Sequence, residues 1–299
     1  MKISVIQSGQ YFFYDPRGPR LPELPQMRAA HARTVEETFA LMESDGAAGS
    51  DLFVTTEMMN LTVMYGDPRY DLADYAERPD GPLAERLARF ANARSAYVVA
   101  GLLTLRDGKV FNSAVLFNRA GQIAGIYDKV HLTLGEAGIT PGGSYPVFAT
   151  DMGNLGLLIC WDLQFPEAAR ESALGGADLI ACPTWGWENR YGLCRAYENG
   201  VCIAAAMALP REGRMRAGTN PSSIVDSMGV PAAVGKWDAP CAVTAELDIR
   251  REPPMQYGND TSVYRSMRHL RMSQRRPDTY RRTVEPHPAL MERYGPGGG

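Results

Sequence analysis

Several large functional classes are excluded by what this sequence does not contain. No apolar run approaches the roughly 20 residues that cross a bilayer. The opening Met1-Lys2-Ile3-Ser4-Val5-Ile6-Gln7 is too soon interrupted to be a signal peptide. A soluble cytoplasmic protein with no membrane partner is therefore expected. The four histidines, His31, His131, His269 and His287, stand singly and never at metal-ligand spacing, which argues against a zinc hydrolase. The five cysteines, Cys160, Cys182, Cys194, Cys202 and Cys241, are an odd number without a secretion signal, so free thiols are expected rather than a disulfide framework. A formal net charge of -3 exerts no overall pull toward nucleic acid. There is no internal repeat, and the Gly-rich terminus is the one low-complexity tract.

What is present is a chain of 299 residues, 45% hydrophobic, long enough to bury a sizeable core. Ile3 to Ile6 alternates as a first strand. Ala30, Val35, Phe39 and Met42 share one face of a helix over about residues 27–42. Leu52-Phe53-Val54 is a strand that delivers Glu57 to the sheet edge, and a helix follows from Pro82 to about residue 93. Residues 97–105 and 110–117 are strands joined through Asp107-Gly108, a hairpin signal, and 122–127 continues the meander. Further on come a helix over 166–175, a strand over 178–182, a helix stopped by Asn199-Gly200, an apolar strand over 201–207, a strand and turn over 222–229, and a last strand over 241–247. Strand–helix units with inserted hairpins give an α/β layered fold with a partly antiparallel sheet. Residues 9–25 read as an irregular segment over a pocket or at an interface, and 58–80 as a loop too long to be a mere connector. The composition changes after Glu252. Arg265, Arg268, Arg271, Arg275, Arg276, Arg281 and Arg282 face one acid, Asp278, with Tyr280 the single aromatic among them. That suits a solvated or partner-docked arm, not a stacking platform for nucleic acid.

The chain is organised around residues 153–187. The run Leu155-Gly156-Leu157-Leu158-Ile159 reads as a buried parallel strand, with Cys160 at the corner before the helix that starts at Pro166. A thiol there projects from the sheet edge, beside backbone N–H groups that can receive negative charge from a substrate oxygen. The alternative is a buried free cysteine. Glu57 follows a strand end, where a partly desolvated carboxylate has a raised pKa and can take a thiol proton. The alternative is a surface glutamate. Lys129, in Tyr127-Asp128-Lys129-Val130-His131-Leu132, offers a cation to an oxyanion, or else snorkels from a strand edge. Glu136, before the turn Thr140-Pro141-Gly142-Gly143, either pairs with Lys129 or is an ordinary loop glutamate.

Taken together, these residues resemble the nitrilase superfamily of carbon–nitrogen hydrolases. The likeness lies in Glu57 after Leu52-Phe53-Val54, Lys129 before Val130-His131-Leu132, and Cys160 followed by Trp161-Asp162-Leu163-Gln164-Phe165-Pro166-Glu167. Ile3 to Gln7, Gly175 to Ile180, Arg195-Ala196-Tyr197-Glu198-Asn199 and Ser222 to Asp226 add landmarks in the same order. The resemblance implies an α/β, four-layer αββα sandwich with mixed sheets. It implies a Glu57-Lys129-Cys160 triad with Glu136 as the second glutamate, and catalysis with no cofactor and no metal. It also implies a homodimer or higher homo-oligomer, residues 1–252 forming the hydrolase domain and 253–299 an arm in the dimer interface.

The implied reaction is hydrolysis of a small molecule through a cysteine thioester. Nitrilases proper typically carry Trp-Glu-Asn after the cysteine. Trp161-Asp162-Leu163 looks more like the amidases and N-carbamoyl amine hydrolases, so amide or carbamoyl hydrolysis is preferred over nitrile hydrolysis. Pocket lining is expected from Asn60 and Tyr65, from Trp161, and from Trp185, Trp187 and Glu188. The two tryptophans form an apolar wall or are core packing. Glu188 meets a substrate amine or is favoured at a helix start by the helix dipole. A non-catalytic scaffold would keep the fold and lose the triad, and all three members are present.

Overall fold

Strand–helix alternation at the start of the chain builds a parallel core. The strands β1 (Lys2–Gln7), β2 (Leu52–Val54) and β3 (Tyr97–Arg106), separated by the helices α1 (Leu24–Met42) and α2 (Pro82–Arg94), are parallel neighbours in that order. Two antiparallel strands follow, β4 (Lys109–Phe117) and β5 (Ile123–Asp128). Asp107 and Gly108, both at positive φ (50° and 71°), make the tight turn between β3 and β4 that their dipeptide signals. The computed structural model describes residues 1–11, 24–61, 71–210, 218–255, 263–285 and 287.

The same plan recurs in the second sheet. After β6 (Val147–Ala149), the strands β7 (Asn154–Leu157), β8 (Leu179–Thr184) and β9 (Cys202–Met207) are parallel, separated by α3 (Pro166–Leu174) and α4 (Asn189–Asn199). Antiparallel β10 (Ser223–Val225) and β11 (Pro231–Val234) close that sheet, and β12 (Cys241–Glu246) returns to pair antiparallel with β1. The two six-stranded sheets are ordered β12-β1-β2-β3-β4-β5 and β11-β10-β9-β8-β7-β6.

Helices cover the outer faces, which gives the four-layer sandwich. On the first sheet Phe39, Met42, Leu87 and Phe90 of α1 and α2 pack with Ile6, Phe53, Val98 and Val115. Phe90 meets Phe39 and Phe53 edge-on, with ring centroids 6.2 and 5.1 Å apart. Each fully buried side chain of this kind contributes about 1.5–3 kcal/mol. The sheets are laced together from within. Gln7 donates Nε2 to the carbonyls of Lys236 and Ala239 and accepts the Ser222 N–H at Oε1. Gly101 of β3 allows a close approach. A Cβ there would stand 2.4 Å from the Thr56 carbonyl oxygen and 2.9 Å from Pro183 Cβ of the facing sheet.

The chain forms two compact units, Met1–Pro253 and Pro254–Gly299. In the second, α5 (Met267–Ser273) is capped by the Ser266 hydroxyl, which accepts the His269 N–H, and Arg276 pairs with Asp278. Among the described residues no helix is long and apolar enough to cross a membrane.

Candidate active site

Three strand exits converge. Past β2 the chain stays strapped to β3: the Thr55 N–H donates to the Val99 carbonyl and the Met59 N–H to the Gly101 carbonyl. Between these anchors Glu57 turns inward, almost fully buried, and Met58 takes a left-handed φ of 43°. Lys129 stands one residue beyond β5, its N–H extending the ladder to the Asn112 carbonyl of β4 at 2.9 Å. Its Nζ donates to Glu57 Oε1 at 2.9 Å and to Glu136 Oε1 and Oε2 at 2.9 and 2.8 Å. Glu136 is fixed by its own turn, accepting the Thr133 N–H at 2.8 Å.

The third exit belongs to β7. Leu158 still donates to the Ala181 carbonyl of β8, and Cys160 then turns the chain with a φ of 46° into a 3-10 turn over Cys160–Gln164, ahead of α3. A β-carbon placed on Gly186 would lie 3.7 Å from the Cys160 sulfur, so the end of β8 passes directly beside the thiol. The Thr184 hydroxyl and the Trp185 N–H both hydrogen-bond that sulfur, and the charges of Glu57 and Lys129 act on it. The same Trp185 N–H lies 3.1 Å from Glu57 Oε2, and the Trp185 indole N–H donates to the Glu57 carbonyl at 2.8 Å. Side chains 103 positions apart in the sequence, from 57 to 160, thus form one buried cluster of acid, ammonium and thiol.

The family profile described as carbon-nitrogen hydrolase matches residues 12–254, most of the chain. The chain belongs to the carbon–nitrogen hydrolases of the nitrilase superfamily, and it is an enzyme. A probable nitrilase of Schizosaccharomyces pombe is 29% identical over 82% of this chain and 89% of its own length. The omega-amidase of Bos taurus is 30% identical over 60% of this chain and 71% of its own. Among solved structures, the carbon–nitrogen hydrolase of Helicobacter pylori G27 covers 96% of this chain and 98% of its own at 22% identity, with a TM-score of 0.70.

Burial sets the electrostatics of this hydrolase. Burial raises the Glu57 carboxyl above the ordinary carboxylate range. Lys129 opposes the rise, and Glu136 adds to it. Burial would depress Lys129, but Glu57, Cys160 and Glu136 outweigh it and hold the ammonium well above its usual value. Burial, with Glu57 next, pushes the Cys160 thiol up to about 12 against the pull of Lys129, Thr184 and Trp185. The resting thiol is therefore protonated at neutral pH, and its reaction needs a base. Among the described residues no three His, Cys, Asp or Glu side chains converge on a metal-sized site.

The remaining expected pocket residues separate. Trp185 is half-buried, and its indole N–H clamps the Glu57 backbone. Trp187 is core packing rather than wall: it has no exposed surface and its ring fills the space a side chain at Gly192 would need, 2.0 Å from that position. The Asn60 amide is occupied at both ends by the Leu103 backbone, with Nδ2 to O at 3.0 Å and Oδ1 from N at 2.7 Å. Glu188 precedes α4 as its N-cap and is half-buried. Trp161 is 41% exposed, edge-on to Phe165. Tyr65 lies outside the described residues.

Sequence reasoning passed over two residues of the site. Asn112 donates Nδ2 to Glu57 Oε1 and to Glu136 Oε1, both at 2.8 Å. Asp162, fully buried, accepts the Tyr127 hydroxyl at 2.6 Å and the Ile159 and His131 N–H groups at 2.9 Å each. It therefore ties the Cys160 turn to the segment that carries Lys129. An aspartate in an apolar stretch two residues after the cysteine was the available signal, since a buried carboxylate must find donors.

Proposed function

We propose that this hydrolase cleaves the carbon–nitrogen bond of a small carboxamide or N-carbamoyl compound through a thioester on Cys160. The observation that carries the reading is the 2.9 Å pairing of Glu57 with Lys129 beside the Cys160 sulfur. Glu57 removes the thiol proton as the sulfur attacks the amide carbon. The charge that develops on the carbonyl oxygen is met by Lys129 Nζ and by the Trp161 N–H at the start of the 3-10 turn. The protonated Glu57 then gives its proton to the leaving nitrogen, ammonia or an amine departs, and the acyl or carbamoyl group remains on the sulfur as a thioester. Water, deprotonated by Glu57, attacks the thioester. The acid leaves, and the proton returns to the sulfur.

The amidase from Nesterenkonia sp. AN1 supports this reading by likeness. The structure of a glutamate-to-glutamine mutant of it covers 83% of this chain at 23% identity and a TM-score of 0.62, and there acrylamide has undergone Michael addition at the active-site cysteine. The same reading makes residues 253–299 an interface arm of a cytoplasmic homodimer or larger homo-oligomer. Light scattering of the full chain tests this, and a monomer at micromolar concentration would end that part of the proposal.

The substrate class is tested by intact-mass spectrometry of the wild type and of Glu57→Gln, incubated with amides, N-carbamoyl compounds and nitriles. Cys160→Ala serves as the blank. An acyl mass increment from amides or carbamoyl compounds is expected. An increment from nitriles alone would transfer the chain to the nitrile-hydrolysing branch, and none from any compound would remove the hydrolytic reading.

A further inference from the structure

Asn112 lies within β4 with its side chain fully buried, and its amide serves two acids at once. Nδ2 donates to Glu57 Oε1 and to Glu136 Oε1, each at 2.8 Å. Both acids also meet the single ammonium of Lys129, at 2.9 and 2.8 Å. Two carboxylates against one cation leave one negative charge in excess, with each of the three side chains no more than 1% exposed. Burying an uncompensated charge favours protonating one of the carboxylates. A protonated Glu57 cannot accept the thiol proton. Hydrogen bonds donated to a carboxylate favour its ionised form, and Asn112 donates one to each acid.

Asn60 shows what a purely structural amide looks like in this protein. Both of its ends are paired with the Leu103 backbone. Asn112 differs: Oδ1 is buried with no hydrogen-bond partner, and Nδ2 goes wholly to the two acids. The backbone enforces the arrangement, since the Asn112 carbonyl accepts the Lys129 N–H at 2.9 Å and so keeps amide and ammonium in one register. The titratable groups around Glu57 are Lys129 from the exit of β5, Glu136 from its turn, Cys160 from the exit of β7 and the Cys182 thiol of β8.

We propose that Asn112 is a positioning residue of this site: its amide seats Glu57 and Glu136 together on Lys129 and favours the ionised form of Glu57, so that Glu57 enters the cycle as a base. The inference rests on the Glu57-to-Cys160 proton transfer proposed above, and its test is read without turnover.

The measurement is the rate of Cys160 alkylation by iodoacetamide from pH 5 to 9, followed by intact mass on the full chain, with Cys160→Ala giving the background from the other four cysteines. Asn112→Asp keeps the shape and loses the donation. Asn112→Leu loses the donation without adding charge. In both variants, checked for folding by circular dichroism, the acid limb is expected to move up by about one pH unit. That makes alkylation about tenfold slower on the acid side of the limb. A folded variant whose limb coincides with that of the wild type would overturn the proposal. Two variants that both fail to fold would also overturn it, by marking Asn112 as core. A wild type with no acid limb would overturn this inference together with the proton transfer. Failure of every amide to turn over would sink the proposed function alone and leave the limb measurable.

Discussion

The exits of β1 and β7 occupy equivalent positions in two sheets of identical strand plan, yet they do different work. Beyond β1 the chain runs on through Ser8, whose hydroxyl lies 3.3 Å from that of Thr56, and bridges to Leu209 of the other half. Beyond β7 it bends at Cys160 and presents a thiol. The middle strands differ in the same way: the chain beyond β2 carries the acid Glu57, and β8 ends at Thr184 with Trp185 next, whose donors reach the sulfur and that acid. The first half thus supplies acids and ammonium, and the second supplies the thiol and neutral donors. Backbone conformation marks the same division. Among the described residues four non-glycine residues have positive φ. Ser95 ends α2 and Asp107 makes a hairpin, both ordinary uses. Met58 and Cys160 sit beside the chemistry, where strain of about 1–3 kcal/mol per residue is retained only if the surroundings enforce it.

Substitutions can break this division of labour, and the largest effect is expected on the nucleophile side. Cys160→Ala should reduce amide turnover by roughly 10⁴–10⁶-fold, measured as ammonia release, because no other group can form the acyl-enzyme. On the opposite side Lys129→Met should cost about 10²–10³-fold in kcat. It also strands two buried carboxylates, so urea titration should show a loss of about 3–5 kcal/mol.

The acid limb of kcat/KM should lie above the ordinary glutamate value of 4.5, because Glu57 is raised by burial. The folded chain holds this proton more tightly than the unfolded chain. Glu57 therefore contributes stability below pH 4.5 that is lost as pH rises from there through the raised value. Thr184→Val removes a hydrogen bond to the sulfur. Its expected cost is about tenfold in the alkylation rate of Cys160 at pH 7, with Thr184→Ser restoring it. Smallest should be the catalytic effect of Trp187→Phe, a core change: Tm falls while kcat/KM stays within about twofold of wild type.

Periodicity and turn chemistry made most elements legible. The strand Leu52–Val54, the helix from Pro82 and the Asp107-Gly108 hairpin stand where the pattern puts them. Two strands were not legible. β6 has three residues, and β11 is half to fully exposed along its length, so neither carries a usable alternation. Nor was the duplicated strand plan, because it is written in backbone pairing and not in side-chain identity. Of the cluster, Cys160 stood out at the end of an apolar run and Lys129 between two, whereas Glu57 and Glu136 were drawn in by the family resemblance; the structure brings the four side chains together. Asn112 was not legible, since an amide inside a strand looks the same whether its partners are backbone or two carboxylates. Gly101 was hidden for a related reason: its need to be glycine arises from the Thr56 carbonyl and Pro183, both distant in sequence or in the other sheet. Trp185 and Trp187 were indistinguishable at two-residue spacing. Only packing against Gly192 assigns the second to the core.

On the proposed mechanism the sulfur at position 160 carries the acyl group. Wild-type enzyme quenched during turnover of an isotopically labelled amide, then digested and mapped by mass spectrometry, tests this directly. Label is expected on the peptide containing Cys160 and none on the peptides containing Cys182, Cys194, Cys202 or Cys241. Turnover with label on another residue, or with no covalent label under conditions that accumulate the intermediate, would contradict it.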